Sequence, residues 1–334
     1  MTGRRTTIYD LAELSGTSAS AVASVLNGTW KRRRIGEKTA ARVLALAEQH
    51  GYARNIQASV LRRATSNMVG MIIPKYDNRY FGAIAERFER TARQRGLFPI
   101  ITCTQRDPEL EVQAARELVS YQVDTIIATG ATDPDRITAI CRGAGVRSLN
   151  IDLPGTAAPS VVSDNRAGAR DLAELLLTRC RQDLGYDGPL LFIGGRAQDA
   201  NTTARIKGFA EAHAAAGIAV PEEFILTSGY DGRKAETALR EFPHKLPPGL
   251  FVNSTISLEG VIRFLTGTGQ LSSGGIRFGA FDWDPFAMLL PGNVGMVRQD
   301  VESMVEEAFR LLAKEEDLAE VHLIPCLIDD PMVE

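Results

Sequence analysis

Lys31, Arg32, Arg33 and Arg34 follow Trp30 without a break, placing four cations and one aromatic in five residues. That grouping suits a polyanion, because guanidinium and ammonium groups donate to phosphate oxygens. The surrounding charge agrees. Residues 1–66 hold eleven Lys and Arg against four Asp and Glu, a balance of +7, while the remainder holds 27 against 37, a balance of −10. A basic head on an acidic body reads as a polyanion-binding module joined to a domain that avoids polyanions. A further cation, Lys75, directly follows the apolar run Ile72-Ile73-Pro74. It is expected at the carboxyl end of a strand, where open α/β sheets bind ligands.

Catalytic patterns are missing. There is no GxxxxGK, GxSxG or HExxH, and Gly267-Thr268-Gly269 follows a helical rather than a strand pattern. His50, His213, His244 and His322 are scattered. Cys103, Cys141, Cys180 and Cys326 lie far apart with no CxxC, which fits a reducing cytosol better than a disulfide scaffold or a zinc site. The N-terminus MTGRRTTIYD lacks an apolar signal segment, and no apolar run approaches the ~20 residues of a membrane span. A cytoplasmic protein that is not an enzyme, with no cofactor, metal or membrane partner, is expected.

The elements that must position these groups fall into two regimes. Thr7 opens a helix over Ile8–Leu14, with Asp10 placed to complete a capping box. Gly16 can end that helix, and Ser18 caps a second one over Ala19–Leu26. Ile8, Leu11, Ala12, Val22, Val25 and Leu26 fall at helical spacing and can face one another. A third helix over Glu37–Gln49 offers Ala40, Val43, Leu44 and Ala47 to close a three-helix core. From Met68 the pattern becomes ten short apolar runs, from Val69–Pro74 to Val321–Leu327, alternating with amphipathic helices such as 81–95, 109–121, 167–184, 202–216, 256–265 and 301–313. Repeated β-α units mean parallel sheets with helices on both faces. The strands are too many for one comfortable open sheet, so two doubly wound lobes with ligand between them are expected. No sequence repeat is visible.

TIYDLAELSGTS…VLNG, followed by EKT…V…A…GY and Asn55…Ala58…Leu61, resembles the DNA-binding head of the lactose-repressor (LacI/GalR) family. In the body, Ser163–Ala169, Arg205–Phe209, Gly279–Asp282 and Val297–Gln299 resemble that family's DNxxGA, RxxGF, GFD and VxQ segments in the same order. The longer loop between Asn27 and Ile35, with Glu89–Gly96, Val123–Ile127 and Ser254, is similar to the fructose-repressor (catabolite repressor-activator) subgroup.

The resemblance implies an α/β protein: a helix-turn-helix head over 1–53, a hinge over 54–66, and a two-lobed, periplasmic-binding-protein-like body over 67–334. The N-lobe would take 67–164 and 299–324, the C-lobe 165–298 and 325–334. It implies a homodimeric, sequence-specific transcriptional regulator, a repressor of carbohydrate-utilisation genes, bound to operator DNA and controlled by a sugar or sugar phosphate between the lobes. The chain ends at Glu334 without a leucine-heptad tail, which favours a dimer over a tetramer. Thr7, Tyr9, Ser18 and Asn27 would touch phosphates, while Ala19, Ser20 and Ser24 would face base edges. Small base-facing residues cannot make bidentate contacts, so Lys31–Arg34 and the hinge are expected to add affinity. Arg54 stands where the family often has Pro, and Leu61 matches the leucine that wedges into the minor groove. Asn55 joins them as a DNA contact.

In the body the motifs nominate Asp152, Arg205, Ser254, Asp282 and Gln299 for sugar hydroxyls, with Phe81 and Tyr230 as walls and Trp283 as a looser candidate. Lys75 would stand with Arg205 at the cleft mouth. Leu153 replaces an Arg that the fructose-repressor subgroup carries, which argues against a phosphorylated ligand unless Lys75 supplies the lost charge. An extracytoplasmic sugar receptor would share the body but not the basic head.

Overall fold

The computed structural model describes residues 6–52, 65–314 and 318–331. The chain divides into two compact units, residues 1–66 and 67–334.

Among the described residues the head has three helices, α1 (Ile8–Ser15), α2 (Ala19–Leu26) and α3 (Glu37–Gln49). Thr7 and Asp10 form the full capping box: the Thr7 amide donates to Asp10 Oδ2 at 2.7 Å and the Asp10 amide to Thr7 Oγ1 at 3.3 Å. Gly16 closes α1 in the left-handed region, with φ 64°. Ser18 accepts from the Ala21 amide at 3.2 Å and starts α2. Leu11, Val22, Val25, Ala40, Val43 and Ala47 make the core. Leu44 does not join it: it is exposed, and Leu46, Trp30 and Ile35 pack there instead.

The first lobe of the body runs β1 (Met68–Ile73), α4 (Arg79–Gln94), β2 (Phe98–Cys103), α5 (Pro108–Ser120), β3 (Thr125–Thr129), α6 (Pro134–Gly143), β4 (Arg147–Ile151) and β5 (Ser160–Ser163). The second runs α7 (Asn165–Leu184), β6 (Leu191–Ile193), α8 (Ala200–Ala215), β7 (Ile225–Leu226), α9 (Gly232–Arg240), β8 (Gly249–Val252), α10 (Thr255–Gly267), β9 (Arg277–Phe281), α11 (Pro285–Met288) and β10 (Asn293–Gln299). The chain then returns as α12 (Val301–Leu312), β11 (Val321–Ile324) and β12 (Cys326–Asp329). Two six-stranded sheets result, ordered β11-β5-β4-β3-β1-β2 and β12-β10-β9-β8-β6-β7. Three crossings therefore join the lobes, after Ser163, after Gln299 and at Pro325.

The central strands of each sheet are buried on both faces, as parallel strands covered by helices are. Along β1, Val69, Met71 and Ile73 face α4 and α12, while Met68 and Ile72 face α5 and α6. In the second lobe Leu191 and Ile193 face α9 and α10, while Phe192 joins Phe209, Phe251 and Phe281 under α7 and α8. Gly208 in the RxxGF segment is where α7 and α8 touch; a Cβ there would collide with the Arg166 carbonyl.

The structure departs from the sequence reading in three ways. The run Val321–Leu327 is two strands in different sheets, because Pro325 has no N–H to continue a ladder. The second of them, β12, pairs antiparallel with β10, so that sheet is mixed at its edge. Ser160–Ser163, which is not among the ten apolar runs, is the strand β5, which pairs with β4 and β11.

His213 is fully buried on α8. Its Nδ1 lies 2.7 Å from the Phe209 carbonyl and its Nε2 accepts the Leu190 amide at 3.1 Å, so the neutral ring with hydrogen on Nδ1 satisfies both partners. Burial holds its pKa below the usual 6.5. The unfolded chain takes up this proton below 6.5 while the folded one resists, so stability is lost as pH falls through that window. Urea unfolding between pH 7.5 and 5.5 is expected to show a steeper loss for the parent than for His213→Gln; equal slopes would refute this.

Candidate functional site

In the head, the loop nominated by its charge is a wound turn. The Ile35 amide donates to the Trp30 carbonyl at 3.0 Å and the Arg34 amide to the Lys31 carbonyl at 3.1 Å, with Arg34 at φ 56°. This is the Schellman arrangement, and its accompanying apolar contact is Trp30 with Ile35, both packed on the head core. Lys31 Nζ stands 5.3 Å from the Trp30 ring centroid. Lys31, Arg32, Arg33 and Arg34 are all exposed, and among the described residues none has an acid within ion-pair reach. The turn thus presents its cations on a fixed frame, an arrangement that lowers the entropy cost of binding a polyanion.

Tyr9, Ser18, Ser20 and Asn27 are exposed, and Thr7 and Ala19 half-buried. Ser24 is different. It is buried, and its hydroxyl donates to the Ser20 carbonyl at 2.8 Å, so it is held inside the head rather than turned to a groove. Arg54, Asn55 and Leu61 lie outside the described residues.

In the body, Asp152 and Asp282 immediately follow β4 and β9, which occupy equivalent places in the two sheets. Both adopt the left-handed backbone, φ 76° and 67°, a conformation Asp tolerates better than most residues and one that concentrates at functional sites. Each turn aims a buried carboxylate between the lobes. Asp152 Oδ1 accepts from Asn201 Nδ2 at 3.0 Å and from the Tyr80 hydroxyl at 3.2 Å, so partners from both lobes share it. Asp282 Oδ1 accepts from Gln299 Nε2 at 2.6 Å, and Gln299 Oε1 accepts from Ser163 at 2.6 Å. The second bond spans two of the three crossings. Asp282 is therefore not a helix cap; Asp164 and Asp284 are, for α7 and α11.

Arg205 on α8 is buried with its guanidinium carbon 3.8 Å from the Phe281 ring centroid. Its Nε donates to Asn165 Oδ1 at 2.7 Å and its Nη1 to the Asn253 carbonyl at 2.5 Å. It is a buried organiser of the cleft, not a surface ion-pair partner. Ser254 caps α10 by accepting the Ser257 amide at 3.2 Å. The Tyr230 hydroxyl meets Thr202 Oγ1 at 3.2 Å.

These residues line one cavity: Phe81, Asp152, Arg205, Tyr230, Ser254, Asp282 and Gln299, seven of the eight nominated. Its volume is about 20 Å³, room for about one water molecule. The polar side chains close on one another, so a sugar-sized ligand must part them. Lys75 does not line it. It lines a larger neighbouring groove of about 700 Å³ with Arg79, Glu259 and Asp284. Trp283 is partly exposed and also lies outside the cavity.

Electrostatics follow from burial. Loss of solvent pushes Asp152 up to about 6, opposed first by Arg106 and then by Arg205. Asp282 is raised for the same reason and opposed first by Arg205. Burial also raises the Tyr80 phenol well above its usual value, so it is a donor at neutral pH. Two carboxylates facing inward accept hydroxyl protons, and amides and guanidinium donate: this is a site for a polyhydroxylated molecule.

Sequence reasoning missed Tyr80, Arg106, Asn201 and Asn253. Arg106 could have been found by the rule that flagged Lys75, since Gln105-Arg106 follows the run ending in β2. Asn253, just after β8, is fully buried with neither side-chain amide atom hydrogen-bonded, and no sequence pattern signals that.

Comparison with known proteins agrees with this geometry. Residues 7–55 match the bacterial regulatory proteins of the lacI family, and residues 69–317 match a periplasmic binding protein domain. The ribitol operon repressor of Klebsiella aerogenes is 59% identical over 193 residues, 58% of this chain and 72% of that protein. The fructose operon regulatory protein of Vibrio cholerae is 28% identical over 315 residues, 91% and 92% of the two chains. Among solved structures, the lac repressor dimer bound to operator and the anti-inducer ONPF shares the fold, with TM-score 0.79, 19% identity and coverage of 97% and 98%. The chain belongs to the lacI family of DNA-binding transcriptional regulators.

Proposed function

We propose that this protein is a homodimeric, cytoplasmic repressor of a carbohydrate-utilisation operon, without enzymatic activity, whose effector is a small neutral polyol of the pentitol class. Asp152 and Asp282, buried and converging from equivalent turns of the two lobes, carry the reading. A linear polyol has a hydroxyl on every carbon and satisfies acceptors from both lobes at once. The identity to a ribitol operon repressor supports the same chemistry. A phosphorylated ligand is disfavoured, since Leu153 stands where the fructose-repressor subgroup carries Arg, Lys75 stands in the neighbouring groove, and Arg106 and Arg205 in the cavity are balanced by two buried acids. Thr7, Tyr9, Ser18, Asn27 and Lys31–Arg34 are the proposed phosphate contacts, with Ala19 and Ser20 toward base edges and Arg54, Asn55 and Leu61 in the hinge.

Effector binding shifts the lobes and so changes how the head and hinge engage operator DNA. The coupling is reciprocal: operator lowers polyol affinity by the factor by which polyol lowers operator affinity. Thermal unfolding with ribitol, xylitol, arabinitol and fructose phosphates, followed by gel shifts on the protein's own promoter region, tests this. Ribitol is expected to raise the melting temperature and release the DNA. Stabilisation by sugar phosphates alone would overturn the neutral-polyol reading.

A further inference from the structure

Arg106 lies in the loop between β2 and α5, and the function described so far gives it no role. Gln105 and Arg106 are consecutive non-glycine residues in the left-handed region, φ 53° and 60°. Such backbone costs free energy and persists where the surroundings enforce it. Here the Thr104 amide donates to the Ile73 carbonyl at 3.0 Å and the Asp107 amide to the Thr104 carbonyl at 2.9 Å, pinning both sides of the kink. The kink carries the guanidinium to the mouth of the cavity, which Arg106 lines.

There the guanidinium carbon stands 5.4 Å from the Phe81 centroid and 5.3 Å from the Tyr230 centroid. Phe81 belongs to the first lobe and Tyr230 to the second. Both distances lie within the roughly 6 Å over which a ring face attracts a cation. Tyr230 is itself fixed, by Thr202 at 3.2 Å and by Arg196, 5.8 Å from its centroid and paired with Asp199 at 3.1 Å. Arg205, the cavity's other cation, is committed to Asn165 and the Asn253 carbonyl. Among the described residues the N–H groups of Arg106 have no hydrogen-bond partner.

We infer that Arg106 is a specificity-determining latch: its face ties Phe81 to Tyr230 across the lobes, and its N–H fork donates to two adjacent hydroxyls of the bound polyol. The fork that meets the ligand is then held by the same aromatic contacts that tie the two lobes together. A fork with fixed geometry also distinguishes pentitols that differ only in the configuration of neighbouring hydroxyls. The ligand class rests on the function proposed above; the latch does not.

Asp152 reports the arrangement without ligand. It is faced by Tyr80, Arg106, Arg205 and Asp282, and Arg106 is the chief charge favouring its ionised form. Hydroxyls donate to the ionised carboxylate, so polyol affinity falls as pH drops through about 6. Removing the Arg106 charge moves that midpoint upward.

The test uses the full chain, with Arg106→Met and Arg106→Lys. Calorimetric titration with ribitol, xylitol and arabinitol gives affinity and discrimination. A carboxyl NMR titration of Asp152 and small-angle scattering are run on the ligand-free protein. Arg106→Met is expected to weaken ribitol at least tenfold, raise the Asp152 midpoint and expand the body. Arg106→Lys restores the Asp152 midpoint but not the discrimination between pentitols. Ribitol affinity within twofold of the parent together with an unmoved Asp152 midpoint would overturn the latch. If the parent binds no pentitol while Arg106→Met still shifts Asp152 and opens the lobes, the latch stands and the polyol reading falls.

Discussion

Replacing Arg205 with methionine is expected to abolish effector binding and destabilise the body by about 3–5 kcal/mol, the cost of removing one partner from a buried charged network. Arg205 is 3% exposed and makes three contacts at once. It donates to Asn165 Oδ1 and to the Asn253 carbonyl, stands over the Phe281 ring, and opposes the protonation of both Asp152 and Asp282. Methionine retains length and apolar contact with Phe281. It leaves Asn165 and the Asn253 carbonyl buried without donors, each a loss of about 1–3 kcal/mol. The two carboxyls, already raised by burial, rise further, so at neutral pH more of each is protonated and cannot accept a ligand hydroxyl. Urea unfolding with an unchanged slope measures the stability term, and ribitol calorimetry the binding term. Arg205→Lys keeps the charge but loses the fork, and should recover stability only in part. A Met variant within 1 kcal/mol of the parent would show that the network is not held by Arg205.

The second large effect is in the head. Changing Arg32 and Arg33 together to alanine is expected to reduce the slope of log affinity against log salt by up to about 2 per head, since each phosphate contact on duplex DNA contributes roughly 0.9. Loss should be equal on operator and on unrelated DNA, because phosphate contacts carry no sequence information. The expectation is strong because the turn is prefolded: the Schellman bonds of Arg34 and Ile35 and the seating of Trp30 do not involve the Arg32 and Arg33 side chains. The helical spectrum of the head should therefore be retained. An unchanged salt slope would mean that these arginines are only solvated.

Ser24 sharpens the same point. With its hydroxyl turned into the head, Ser24 leaves Ala19 and Ser20 as the proposed base-facing residues of α2, neither able to make a bidentate base contact. In the proposed docking, the cations that follow α2 supply the affinity that these small residues cannot.

Much of this was legible in the residues. Capping boxes and positive-φ glycines act within a few residues of themselves, so Thr7, Asp10, Gly16 and Ser18 marked the head helices directly. Hydrophobic period marked the buried strands for the same reason. The boundary between β11 and β12 was harder, because a continuous apolar run conceals which sheet each half joins; Pro325 was the available sign. The repeat relating the lobes left no trace in sequence, since equivalent sheet positions constrain geometry and apolarity rather than residue identity. It became visible when Asp152 and Asp282 were found at the ends of β4 and β9.

The sequence by itself determined the kind of molecule: a basic helical head, an acidic body of alternating strands and helices, and polar residues at strand ends. These are local or summed properties, set by neighbours in the chain and by charge. Tertiary structure alone decided which of those residues meet. It sent Lys75 into a neighbouring groove, buried Arg205 between Asn165, Asn253 and Phe281, and carried Arg106 to Phe81 and Tyr230. Each of these depends on where chain segments tens to more than a hundred residues apart pack, and no local pattern encodes that distance.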